Sequence, residues 1–77
     1  MKINANEYSA AEVMKFVREW TELTQKQFAQ SIGRSEAVIQ TYEQGTRNYT
    51  FETLLEIAQT HHIRITIEKM KKYGKPP

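Results

Sequence analysis

The chain contains no cysteine, so neither a disulfide framework nor a thiolate metal site can hold it together. That fits a reducing compartment, and a cytoplasmic location is expected. The apolar runs are only a few residues long, far short of the roughly 20 that cross a bilayer. No basic-then-apolar leader opens the sequence, so neither a membrane span nor a signal peptide is expected. Glycine and proline are scarce, three and two in 77 residues, and no repeat or low-complexity stretch occurs. An excess of one charge is also missing: 11 basic residues against 9 acidic give +2. Four of the basic residues, Lys69, Lys71, Lys72 and Lys75, crowd the C-terminus; setting those four aside leaves 7 against 9, or −2. Any binding of nucleic acid by the body must therefore rest on local placement of donors rather than on a globally basic surface.

What is present is enough for one small domain. Hydrophobic residues make up 39%, sufficient for a core and too many for a disordered chain. A 77-residue chain lies near the size at which a lone core is only marginally stable, so a partner subunit would help it. Asn48-Tyr49-Thr50 matches a glycosylation acceptor, a triplet common by chance and discounted here.

Residues 1–8 carry no periodicity and read as a loose arm. Ser9-Ala10-Ala11-Glu12 is a capping box, opening a helix to about Thr21 with Val13, Phe16, Val17 and Trp20 at helical spacing. Thr24-Gln25-Lys26-Gln27 repeats the cap pattern and opens a second helix, with Phe28, Ala29 and Ile32 inward. Gly33 ends it, because only glycine enters the left-handed conformation without a Cβ penalty. Ser35 caps a third helix, which buries Ile39 and Tyr42 and stops at Gly45. Thr50 caps a fourth, whose apolar stripe is Phe51, Leu54, Leu55 and Ala58.

After His62 the rhythm changes. Ile63-Arg64-Ile65-Thr66-Ile67-Glu68 alternates β-branched and polar residues with period two, which favours a strand over 63–70. The rival is a short helix using Ile63, Ile67 and Met70 with Arg64–Glu68 and Glu68–Lys72 pairs. Residues 71–77 read as a basic flexible tail, with Gly74, Pro76 and Pro77 fraying the end.

The stretch 29–43 poses the functional question. Two short helices joined by a tight turn cross closely, so a small residue, Ala29, is needed at the crossing. Gly33, four residues on, reverses the chain, and Ile39, six further, fills the pocket between the helices. This spacing is that of a helix-turn-helix, whose second helix enters the DNA major groove. The spacing also suits a helical hairpin within an unrelated bundle.

The match goes beyond spacing. Leu23-Thr24-Gln25, Phe28-Ala29, Ile32-Gly33, Ser35, Ile39, Tyr42-Glu43, Gly45, Arg47-Asn48 and Phe51-Glu52-Thr53-Leu54-Leu55 resemble the Cro/lambda-repressor-like helix-turn-helix family, over roughly Val13 to Ile65. The resemblance implies a mainly α domain of four to five helices, spanning residues 9–62, that binds operator DNA as a dimer. Family members often continue into a fifth helix; a C-terminal strand instead resembles the HipB-type antitoxin branch, in which such strands pair across the dimer. Arg34 replaces the usual apolar residue after the turn glycine, and Tyr49 stands where proline is common, which suggests altered loop packing.

If Ile39 and Tyr42 point inward, then Glu36, Ala37, Gln40, Thr41 and Gln44 point outward. The first part of a recognition helix reaches base edges, so Glu36, Ala37, Gln40 and Thr41 are the candidate base readers. Gln40 can pair bidentately with adenine. Thr41 can hydrogen-bond or present its methyl to thymine, and Ala37 offers an apolar contact to the same methyl. Glu36 can accept from cytosine but repels phosphate. The plainer alternative for each is a solvated helix face.

Phosphate contact falls to Thr24, Gln25, Lys26, Gln44, Arg47 and Asn48. Gln25 opens the second helix, where free N–H groups and the positive dipole end attract an anion; in the family the matching glutamine clamps a phosphate. Arg47 could instead pair with Glu43 or Glu52. Val38 stands where the family often has Thr or Ser, so one phosphate hydroxyl is missing. Few cations imply a modest salt slope.

His61 and His62 are adjacent and cannot share a helix face, and no carboxylate or cysteine cluster joins them, so neither metal nor cofactor is expected. No Ser–His–carboxylate or Cys–His set stands at plausible positions, so no enzyme is expected. A strand with one apolar side, Ile63, Ile65 and Ile67, leaves backbone groups unpaired, and the economical partner is the same strand of a second copy. The reading is thus a homodimeric, sequence-specific DNA-binding regulator, a repressor at an inverted-repeat operator. The alternative is an antitoxin that holds a partner toxin and autoregulates its operon.

Overall fold

The computed structural model describes residues 1–71, so Lys72, Lys75 and most of the expected 71–77 tail lie outside the described residues. Four helices follow one another: α1 (Ala10–Thr21), α2 (Gln25–Ser31), α3 (Glu36–Gln44) and α4 (Phe51–Thr60). Each begins on a hydroxyl. Ser9, Thr24, Ser35 and Thr50 accept the N–H of the residue three on, and the first two complete reciprocal capping boxes through Glu12 and Gln27.

Helix stops are equally local. At Gly33 (φ +67°) the Arg34 N–H bonds the Ala29 carbonyl at 2.9 Å, and at Gly45 (φ +81°) the Thr46 N–H bonds Thr41 at 3.1 Å. These are Schellman closures, which satisfy carbonyls the helix leaves free. The end of α4 uses the same bond, Ile63 N–H to Ala58 carbonyl at 2.9 Å, with His62 rather than glycine at φ +58°.

Met14, Phe28, Ile39 and Ile57 are fully buried, one from each helix, with Val17, Ala29 and Tyr42 completing the core. Burying each of the four large side chains contributes about 1.5–3 kcal/mol. Ala29 lies at the α2–α3 packing, as the spacing requires, and Gly33 makes the turn between them.

Three expectations are corrected. The inward face of α1 includes Met14, whereas Phe16 and Trp20 are only half-buried. On α4 the buried residues are Thr53, Ile57 and Ala58, while Phe51 and Leu55 are exposed; the apolar stripe is wider than the core that this chain can offer it. Residues 1–8 are not featureless. A 3-10 turn, Ala5–Glu7, is capped by the Asn4 side chain, and the Tyr8 ring meets Phe16 edge-on at 4.9 Å.

The strand expected over 63–70 is not found, nor a fifth helix; these residues have no regular structure among the described residues. A β-ladder needs a second strand, and the described part of one chain supplies none. Ile63 packs against its own core and Ile65 is half-buried, so of the three only Ile67 stands exposed. Residues 1–6 and 61–70 flank an open groove whose floor includes Val13, Val17, Trp20, Phe51, Leu54 and Ala58.

Candidate nucleic-acid interface

The turn Ile32–Ser35 fixes how α3 is displayed. Ile39 and Tyr42 anchor its inner side, and Val38 packs partly against the core. The opposite side carries Glu36, Ala37, Gln40 and Gln44, all exposed, and Thr41, half-buried. All four candidate base readers therefore share the outward face of one helix, as periodicity required. Among the described residues, the side chains of Glu36, Gln40 and Gln44 form no hydrogen bond or ion pair within the chain. Thr41 differs: its hydroxyl donates to the Val38 carbonyl at 2.7 Å.

A half-buried polar cluster joins the helices. Arg18 of α1 grips Glu43 of α3 with both Nε and NH2, at 2.6 and 3.1 Å, and its NH1 donates to the Leu23 carbonyl at 3.2 Å. Gln25, the first residue of α2, donates its side-chain amide to the same Glu43 at 3.1 Å. One carboxylate thus ties three helices together. The hydrogen bond from Arg18 to Glu43 holds the guanidinium above its ordinary range, outweighing the burial that pulls it down. Gln25 retains its second amide N–H for a further acceptor.

Sequence reasoning missed Arg18 altogether. The available signal was its position four residues after Met14 and one after Val17, on the core side of α1. A charge there implies a partner, although nothing local names Glu43. The same contact decides an open point: Glu43 is taken by Arg18, and Arg47 forms no ion pair among the described residues. Arg47 is exposed, as are Thr24, Lys26, Gln44 and Asn48, while Gln25 is half-buried.

The two departures in the loops have structural partners. Arg34 bonds the Ile32 carbonyl at 3.2 Å and reaches Thr53 and Glu56 of α4 at 3.4 and 3.3 Å. Tyr49 donates to the Ala10 carbonyl at 2.6 Å and packs edge-on against Tyr42 at 5.4 Å. Arg34 braces the turn against α4, and Tyr49 braces the buried side of α3 against the start of α1.

Ser31 and His61 lie 2.8 Å apart, a pairing that in isolation resembles a nucleophile and its base. The Ser31 proton is already donated to the Phe28 carbonyl at 2.6 Å, so the hydroxyl can only accept from the imidazole. His61 also stacks on Phe28 at 5.3 Å. The pair closes the end of α2 onto α4.

An exposed helix presented by a tight glycine turn, over a four-helix core, defines a helix-turn-helix protein. A helix-turn-helix family model matches residues 14–67, and the chain belongs to this family, of the Cro/lambda-repressor-like type. It is a DNA-binding regulator by that membership. Among solved structures it is similar to one called "MDT Protein", at 32% identity and a TM-score of 0.62, over 92% of this chain and 99% of that one. A comparison with curated proteins gave no match. No helix among the described residues is long and apolar enough to cross a membrane.

Proposed function

We propose that the protein is a sequence-specific repressor that reads an inverted-repeat operator as a homodimer. The observation that carries this reading is the outer face of α3, where Glu36, Ala37 and Gln40 stand exposed and unpaired beside Thr41. Free polar groups on a rigidly capped helix keep their hydrogen-bonding capacity for base edges.

Phosphates are held by the groups around that helix. The second amide N–H of Gln25 and the free N–H groups at the start of α2 are left to donate to a phosphate. Thr24 accepts the Gln27 N–H and keeps its own hydroxyl proton. Lys26, Gln44, Arg47 and Asn48 add exposed donors. Such contacts fix register on the duplex without reading sequence.

The dimer is supported by surplus apolar surface. Phe51, Leu55, Ile67 and Met70 are exposed, and Phe51, Ile65, Ile67 and Met70 line the groove beside residues 1–6. A second copy that pairs residues 63–70 across a two-fold axis would cover this surface and fill the missing ladder. Two recognition helices would then stand about one helical turn of DNA apart.

Selection of bound duplexes from a random pool, followed by Gln40→Ala with Thr41→Ala, tests the proposal. The expected result is an enriched two-fold sequence and a loss of about 1–3 kcal/mol per base contact, with unfolding unchanged. A pool without enrichment, or a double variant binding every sequence as before, overturns it.

A further inference from the structure

Resting on the proposed reading of α3 as the base-reading helix, we infer that Thr41 reads DNA through its methyl group and not as a hydroxyl donor, and that it selects a thymine. The hydroxyl proton of Thr41 is spent on the Val38 carbonyl at 2.7 Å. A threonine hydroxyl has one proton to donate, so in this rotamer it offers no donor to a guanine or adenine acceptor. Threonine in a helix has only two favoured rotamers, and the one that bonds a preceding carbonyl directs its methyl away from that bond.

The neighbours agree with this division. Residues four apart on a helix stand one above the other, so Ala37 and Thr41 form one row and Glu36, Gln40 and Gln44 form another. The first row ends in methyl groups. The second ends in a carboxylate and two amides with no partner among the described residues. Thymine alone among the bases carries a C5 methyl in the major groove. The helix therefore presents an apolar row for thymine methyls beside a polar row able to grip adenine through Gln40.

The experiment uses the duplex enriched from the random pool and the same duplex with each thymine replaced singly by deoxyuridine, which lacks only the methyl. Wild-type protein should bind one such duplex per half-site roughly threefold to fivefold more weakly, the worth of one buried methyl. Thr41→Val, which keeps a methyl and loses the hydroxyl, should retain that sensitivity and the wild-type affinity. Thr41→Ser, which keeps the hydroxyl and loses the methyl, should bind the thymine duplex several-fold more weakly and lose no more on the deoxyuridine duplex. The cycle isolates the methyl–methyl term. Binding that survives Thr41→Ser and fails with Thr41→Val, or that ignores both variants, overturns the inference while leaving the operator reading intact. A pool that enriches nothing removes the operator reading, and this inference with it.

Discussion

Arg18 and Glu43, 25 residues apart in sequence, meet side-on with nitrogen–oxygen distances of 2.6 and 3.1 Å. Their side chains are 17% and 6% exposed, so water can replace little of what either would lose. Removing one partner of a buried pair strands the other charge, which costs about 3 kcal/mol or somewhat more. Glu43→Ala should therefore lower the urea-unfolding free energy by about that much. Arg18→Met with Glu43→Leu should cost much less, because no charge is left buried. Arg34→Ala is the control: its partner Glu56 is 60% exposed, and the loss should stay under about 1 kcal/mol. Because Arg18 is held above its ordinary range, its contribution is complete at neutral pH and is lost only on strongly alkaline titration. The Arg18→Met deficit should accordingly be equal at pH 7 and pH 9.

Tyr49 adds a second alkaline signature with a nearer window. Burial pushes its phenol above the ordinary value of 10.0, so the folded chain keeps a proton that the unfolded chain releases. The fold's advantage from this group is full below pH 10 and falls as pH rises through 10 toward the folded value. Tyr49→Phe removes the bond to the Ala10 carbonyl and should cost about 0.5–1.5 kcal/mol at pH 8. Between pH 9 and 11 the variant should lose less stability than the wild type, as read by paired urea titrations. A steeper decline in the variant would refute the assignment.

Gly33 and Ala29 separate backbone strain from crowding. A Cβ on Gly33 would meet nothing within 4 Å, so Gly33→Ala should cost only the left-handed penalty, about 1–2 kcal/mol. Ala29 is 1% exposed at the helix crossing, and Ala29→Leu must push α2 and α3 apart, at about 1–3 kcal/mol or more. Operator selectivity distinguishes them further. It should survive Gly33→Ala and degrade with Ala29→Leu, because only the second tilts the recognition helix.

These contrasts mark what the sequence could disclose. Caps and stops are local, so Ser9, Thr24, Ser35, Thr50, Gly33 and Gly45 announced all four helices within a residue or two. The outward face of α3 followed from the positions of Ile39 and Tyr42, since 3.6-residue periodicity leaves no choice. The Arg18–Glu43–Gln25 cluster is assembled by tertiary packing between three helices and has no local spacing to betray it. Thr53 on α4 displaced the expected Phe51 and Leu55 because its hydroxyl is satisfied inside, accepting from Thr50 at 3.1 Å. The alternation from Ile63 to Ile67 is a pattern for pairing, and pairing depends on a second strand that the described chain does not contain.

Ile67 makes that last point measurable. It is 84% exposed, and nearby on the chain Met70 is 75% exposed, apolar area that one copy leaves in water. If residues 63–70 pair across a two-fold axis, each dimer buries Ile67 twice. Burial of one isoleucine contributes about 1.5–3 kcal/mol, so Ile67→Lys should raise the dimer dissociation constant on the order of 100-fold or more. Sedimentation velocity at micromolar concentration should show a wild-type dimer and an Ile67→Lys monomer with equal helix content by circular dichroism. Half-site duplex should still bind the monomer weakly, since α3 is untouched, whereas the full operator should lose its advantage over the half-site. A wild-type protein that sediments as a monomer and still binds the full operator tightly would rule out the two-fold ribbon and leave the apolar face of α4 to some other partner.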